Sequence, residues 1–238
     1  MVIHVRFQSV AVFKRLLACA TPKTPTAVWS FAPSGLCVQA YSADGVTFVS
    51  ATLPARTFVA YACIEARTVA LDAQYMARRL SRLVGAACCD LELDGERLTV
   101  RLIAAGGASA LVFAARDTYA VSFTAAAKVA CSAGVKTAWL IEALERALPA
   151  DLCVFAIGPN ECAVTAAECD TRTHAVTKAR EVVQTRFNVR RLLELARALG
   201  PGDLVVRLLP EQDGSVLLDA EASMLGCTVR GYLKGAML

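Results

Sequence analysis

Two stretches of this 238-residue chain, AVWSFAPSGLCVQA (27–40) and DLCVFAIGPNECAVTAA (151–167), read as the same unit written twice. Each is a pair of apolar runs split by turn residues, Pro33-Ser34-Gly35 in the first and Gly158-Pro159-Asn160 in the second, the pattern of a β-hairpin. A segment of helical period precedes each. Ser9 to Cys19 sets Val10, Phe13, Leu16 and Leu17 on one face behind a Ser9 N-cap, and Lys136 to Leu148 stops at Pro149. Further out, two more helical segments lead into alternating hairpins. Asp72 to Val84 starts at an Asp cap, is expected to bury Tyr75, Met76, Leu80 and Leu83, and precedes CCDLELDGERLTVRL (88–102), which turns at Asp94-Gly95. Asn188 to Leu199 has an Asn cap, an apolar face of Val189, Leu192, Leu193, Ala196 and Leu199, and Gly200-Pro201 as its stop. It precedes DLVVRLLPEQDGSVLLDA (203–220), which turns at Asp213-Gly214. A pattern of helix, hairpin, strands, helix and hairpin that occurs in 1–117 and again in 136–238 predicts two similar α+β domains. Each has two helices packed on antiparallel sheets, with residues 118–135 as the connector between them.

Composition narrows the chemistry. Hydrophobic residues make up 56% of the chain and charged residues 19%, with a formal net charge of +4, which is globular and argues against long disorder. The ten cysteines contain no CxxC, and the two histidines are His4 and His174, so no zinc spacing is available; the thiols read as small buried hydrophobes. The N-terminus MVIHVRFQ lacks the features of a signal peptide, and the longest uncharged apolar stretch, Leu102 to Ala115, is short of the ~20 residues that span a bilayer. The expectation is a soluble protein in a reducing, intracellular compartment with no membrane partner. No GxSxG, HExxH, GxGxxG or GxxxxGK[ST] is present, no cysteine has a base beside it, and Glu142 and Glu145 next to Arg146 read as solvated ion-pair partners. No enzyme, no catalytic residue, no metal and no cofactor are expected.

Charge is distributed unevenly. The four helical segments hold ten basic residues, Lys14, Arg15, Arg78, Arg79, Arg82, Lys136, Arg146, Arg190, Arg191 and Arg197, against four acidic ones, Asp72, Glu142, Glu145 and Glu194. The other segments hold 15 basic and 17 acidic residues, so the helices are the basic part of an otherwise slightly acidic chain. Residues three or four apart share a face, which stacks Arg78 with Arg82 and aligns Arg190, Glu194 and Arg197 away from the leucines. An amphipathic helix must show solvent some polar face, but one sign on all four makes a surface that attracts a phosphate backbone without reading bases.

The run PSGLCVQAYSADGVTFVSATL (33–53), followed by Phe58, Tyr61 and Cys63 and then by MARRLSRLV (76–84), resembles the N-terminal domain of the eukaryotic-type sliding clamp, proliferating cell nuclear antigen. The family's order is a Ser-Gly turn, a Gln-containing strand, an acidic turn, a hydrophobic strand, a Phe-x-x-Tyr-x-Cys strand and a basic helix. Residues 203–238, with Tyr232-Leu233, are similar to its last hairpin and closing strand. The resemblance implies a DNA-clamp fold closed head to tail as a homotrimeric ring around duplex DNA, four helices per subunit facing the hole, and a role as polymerase processivity factor in replication and repair. The ten basic residues are then candidate sliding contacts, Arg15 and Arg79 the least well placed by helix phase.

The resemblance also implies partners: DNA polymerase and other proteins with a clamp-binding motif, and a clamp loader. Their peptides would lie between Tyr41, Val46 and Phe48 on one wall and Tyr232, Lys234 and Gly235 on another, beside Val129 of the connector; the other reading of Val46 and Phe48 is that they alternate into the core. The connector TAAAKVACSAG (124–134) lacks the family's acidic, Leu- and Ile-containing character. The basic net charge, a shorter second domain and the missing acidic tail suggest a divergent clamp of viral type, working in a nucleus or a viral replication compartment. Edges at Ser109 to Asp117 and Thr173 to Ala179 are the expected ring-closing strands. The alternatives are a checkpoint-type or viral transcription-associated clamp relative acting as a hetero-oligomer or monomer, and an Arg-helix RNA-binding or scaffold protein with no ring.

Overall fold

Strands form where apolar and polar residues alternate, and helices where the apolar period lengthens behind a capping side chain. The computed structural model describes residues 2–20, 26–42, 44–81, 87–120, 129–211, 213, 215–224 and 226–237, the side chains of 224, 236 and 237 excepted. They fall into two units: unit 1 is 1–43, 50–122 and 225–228, and unit 2 is 44–49, 123–224 and 229–238.

Unit 1 runs β1 (Val2–Phe7), α1 (Val10–Ala20), β2 (Thr26–Ala32), β3 (Gly35–Tyr41), β4 (Thr47–Pro54), β5 (Ala60–Ala62), β6 (Arg67–Asp72), α2 (Ala73–Ser81), β7 (Cys88–Asp94), β8 (Arg97–Ala104), β9 (Gly107–Ala114) and β10 (Arg116–Asp117). The first three residues of β4 group with unit 2. One antiparallel sheet has the order β5-β1-β7-β8-β9, and in a second β2 lies between β3 and β6, with β10 beyond β6. Unit 2 runs β11 (Cys131–Lys136), α3 (Thr137–Arg146), β12 (Leu152–Ile157), β13 (Glu161–Ala166), β14 (Cys169–His174), β15 (Val176–Thr177), β16 (Val183–Asn188), α4 (Val189–Leu199), β17 (Asp203–Pro210), β18 (Ser215–Met224) and β19 (Cys227–Met237), whose first two residues group with unit 1. Its pairings repeat those of unit 1 strand for strand: β11 with β15 and β17, β12 with β13 and β16, β17 with β18, and β18 with β19. The repeat read from the sequence is therefore a repeat of topology.

The caps act as their residue types require. Ser9 Oγ accepts from the Ala11 N–H at 3.0 Å, Asp72 Oδ1 from Tyr75 at 2.7 Å and Asn188 Oδ1 from Arg191 at 3.1 Å. Beneath α1, Phe13 lies 5.3 Å from Phe7 and 6.0 Å from Trp29, all buried. Phe58 meets Phe7 edge-on at 5.1 Å and stacks on Tyr61, whose hydroxyl reaches the carbonyls of Ala32 and Gly35 at 2.8 and 2.7 Å. A Cβ at Gly35, at φ 146°, would lie 2.1 Å from the Leu53 carbonyl oxygen, so this turn admits only glycine. In unit 2, Leu140, Leu144, Phe155, Phe187, Leu192 and Leu193 are buried under α3 and α4.

Several expectations need correction. Tyr75 is 43% exposed, because the phase of α2 sets it on the flank, edge-on to Phe113 at 5.9 Å. α3 ends at Arg146, where the Ala147 N–H still reaches the Ala143 carbonyl, and a turn follows before Pro149. Leu83 and Arg82 lie outside the described residues, as do 121–128 of the expected connector. Of the expected second edge 173–179, Thr173 and His174 end β14, which pairs on one side only, with β13, and Val176 and Thr177 form the short β15, which pairs only with Gly134 and Ala133 of β11.

All ten cysteines are free, six of them buried and four half-buried. Burial pushes the thiols of Cys131 and Cys153 up to about 11 and that of Cys162 up to about 12, which keeps them protonated and unreactive at neutral pH. Among the described residues no helix is long and apolar enough to cross a membrane.

One ion pair links β1 to β7. Arg6 donates from Nε and Nη2 to both oxygens of the buried Asp90, at 2.7 and 2.8 Å. That hydrogen bond holds the Asp90 carboxyl below the usual carboxylate range. A depressed native pKa means the pair stabilises the fold above the unfolded value of about 4, and the contribution fades as pH falls through the native value. An Arg6→Ala variant is expected to unfold at lower denaturant at neutral pH and to lose less stability than the parent on acidification below about pH 4. Denaturant titrations at several pH values check both.

Candidate nucleic-acid interface

The two helices of unit 1 are brought side by side by the pairing of β1 with β7, and the Val10 N–H lies 3.4 Å from the Ala87 carbonyl oxygen. Their buried stripes are Val10, Phe13, Leu16 and Leu17 on α1 and Ala73, Met76 and Leu80 on α2. The opposite faces carry Lys14, Arg78 and Arg79, all exposed, with Arg15 half-buried. Neither helix contains an acidic residue, and Lys14, Arg78 and Arg79 have no carboxylate partner among the described residues. The Arg79 guanidinium sits 6.0 Å from the Tyr75 ring centroid, which orients it without neutralising it. Between the helices runs a shallow groove lined by Lys14, Leu17, Ala18, Ala77, Leu80 and Ser81.

Unit 2 repeats this geometry through β11 and β17, with the Thr137 N–H donating to the Gly202 carbonyl at 3.0 Å. Its cations are held differently. Lys136 pairs with Asp203, Arg146 with Glu142, Arg191 with Asp44 at 2.5 Å, and Arg197 with Glu145 of the neighbouring helix at 2.8 Å. Arg190 is exposed and has no carboxylate partner among the described residues. The sequence suggested Glu142 and Glu145 as ion-pair partners because they share a helix with Arg146. Asp44 and Asp203 were missed, since nothing local joins them to Arg191 and Lys136.

The residues assigned to peptide binding are divided by the fold. Phe48 is 4% and Tyr232 6% exposed, and their rings stack at 5.7 Å; this corrects the expectation of an exposed aromatic wall, because both side chains alternate inward. Burial also pushes the Tyr232 phenol upward. Val46 is half-buried, and its carbonyl accepts from the Lys234 N–H at 3.2 Å. Gly235 serves close approach, since a Cβ there would lie 2.4 Å from the Phe187 ring and 2.7 Å from the Arg186 carbonyl oxygen. The Lys234 ammonium binds Asp213 Oδ2 at 2.7 Å and Glu211 Oε2 at 3.4 Å, which raises the lysine and lowers Asp213 in pKa. Val129 is 50% exposed, and Tyr41, in unit 1, is half-buried.

Residues 2–115 match the family model described as proliferating cell nuclear antigen, N-terminal domain. Over the whole chain, the crystal structure of proliferating cellular nuclear antigen from Entamoeba histolytica superimposes with a TM-score of 0.85, covering 99% of each chain at 16% identity. The fold is that of a PCNA-like clamp. PCNA from Thermococcus kodakaraensis superimposes with a TM-score of 0.83, covering 98% of this chain and 99% of that one at 18% identity. No curated protein matches by sequence alone. The clamp-like fold carries no metal-ligating group of three or more His, Cys, Asp or Glu side chains among its described residues. What the helices offer is positive charge on rigid scaffolds, suited to non-specific phosphate contact.

The stack of Phe48 on Tyr232 makes a prediction about stability. Tyr232→Ala is expected to cost about 3 kcal/mol or more through the cavity it leaves, whereas Lys234→Ala, at the surface, should change stability by under about 0.5 kcal/mol. Denaturant midpoints of the two variants check this, and Lys234 is then the cleaner probe of any ligand on this face.

Proposed function

We propose that the protein is a DNA sliding clamp: a ring that encircles duplex DNA and tethers a DNA polymerase and other replication and repair proteins. The observation that carries this reading is the basic excess of the four helices in a chain whose other segments are slightly acidic, on a fold shared with PCNA. A clamp performs no chemistry. It holds by topology, so weak sequence-independent contacts suffice, and tethering raises the effective concentration of the polymerase at the primer end. The reading includes a homotrimer, loading by a clamp loader, a connector at 118–135, partner peptides bound near Val46, Val129 and Lys234, and a nuclear or viral replication compartment. The free edges of β9 and β14 are the strands proposed to pair between subunits.

One observation favours the second reading, a clamp relative in a hetero-oligomer. β9 carries no charged residue, while Arg172 of β14 is already satisfied by Asp170 and Glu161 at 3.1 and 3.0 Å, so the two edges offer each other no charge complementarity. Light scattering separates the readings: a mass near three times 25.2 kDa is expected for the ring, and a monomer mass at working concentrations points to a missing partner chain. For the DNA contact, Arg78→Glu is expected to lower processivity stimulation severalfold with an unchanged melting temperature, as a surface change usually costs under about 0.5 kcal/mol in stability. Unchanged processivity would remove α2 from the DNA-facing surface.

A further inference from the structure

The two units share their topology but not the electrostatics of their helices. On α1 and α2 the exposed cations are Lys14, Arg78 and Arg79, which have no carboxylate partner among the described residues, and Asp72, just before α2, is engaged as its cap. On α3 and α4 and their flanks, Lys136, Arg146, Arg190, Arg191 and Arg197 are matched in number by Asp203, Glu142, Glu145, Asp44 and Glu194, and four of the five cations are held in direct ion pairs. We infer that the helix pair of unit 1 supplies the phosphate contacts of this clamp and that the pair of unit 2 is an electrostatically neutral surface past which the duplex slides. This rests on the clamp reading and deepens it.

The physical reason is counterion release. A cation neutralises a phosphate, and displaces its condensed counterion, only with charge it has not already shared with a carboxylate. To engage a phosphate, Arg197 or Arg146 must leave its glutamate, and that glutamate then faces the negatively charged backbone. The exposed ion pair is itself weak, so it is the stranded carboxylate, more than the broken pair, that opposes contact. Among the described residues of unit 1, Lys14, Arg78 and Arg79 meet no such opposition. Lys14 borders the groove between α1 and α2, whose small residues Ala18, Ala77 and Ser81 let a backbone approach closely, and Arg78 and Arg79 extend from the α2 side.

The test is the salt dependence of binding of the full-length protein to a fluorescent linear duplex without a loader, with melting followed in parallel. Three variants are compared with the parent: Lys14→Gln/Arg78→Gln, and the pair deletions Glu142→Gln/Arg146→Gln and Glu145→Gln/Arg197→Gln, which remove a cation together with its carboxylate. Each phosphate contact contributes about 0.9 to the slope of log K against log salt. The unit 1 variant is expected to flatten the slope by about 2, and the pair deletions to leave it unchanged. A pair deletion that flattens the slope by about 1, or a unit 1 variant that does not flatten it, overturns the inference while leaving the clamp reading in place. A parent protein with no salt-dependent DNA association overturns the clamp reading itself, and the inference with it.

Discussion

The pairing of two strands far apart in sequence is the constraint on which each unit depends. β1 runs into α1 and β7 follows shortly after α2, so the antiparallel ladder from Val2 opposite Asp94 to Phe7 opposite Cys89 delivers the start of one helix beside the exit of the other. In unit 2 the ladder from Cys131 opposite Leu208 to Lys136 opposite Asp203 does the same for α3 and α4. Neither helix of a pair is long enough to be stable alone in water, so each depends on burying its apolar stripe against the sheets. Once that stripe is buried, the opposite face is committed to solvent, and its charges become available to a partner.

Because topology is set by the buried stripes, the outward faces are free to differ between the units. Surface charges contribute little to stability, and exchanging them leaves the core untouched. This is why two units with the same pairing scheme carry different electrostatics: unit 1 keeps Lys14, Arg78 and Arg79 without carboxylate partners among the described residues, whereas most of the corresponding charge in unit 2 is closed into local pairs.

The region proposed to bind partner peptides follows the opposite logic. Its aromatic groups, Phe48 and Tyr232, are committed to the interior, and the close approach at Gly235 seats β19 against β16, with Arg186 opposite Ala236. What remains on the surface there is the half-buried Val46 and the Lys234 pair with Asp213, a mixed patch with little apolar area. Since buried apolar surface contributes only ~25 cal/mol per Å², such a patch supports modest affinity.

Much of this was legible in the residues themselves. The four helices, their Ser9, Asp72 and Asn188 caps, the hairpin turns and the duplication all rest on interactions within a few residues, or on periods that persist along a segment, and these survive in one dimension. The basic bias of the helices was legible for the same reason. Tertiary structure alone decided which of those cations are neutralised, because Asp44 meets Arg191 and Asp203 meets Lys136 only when distant strands pair. It alone decided that Phe48 and Tyr232 face inward and that Tyr75 lies on a flank. A period of two says that alternate residues share a face, but which face meets a core, and which strand is left without a neighbour, is settled only by what packs against it.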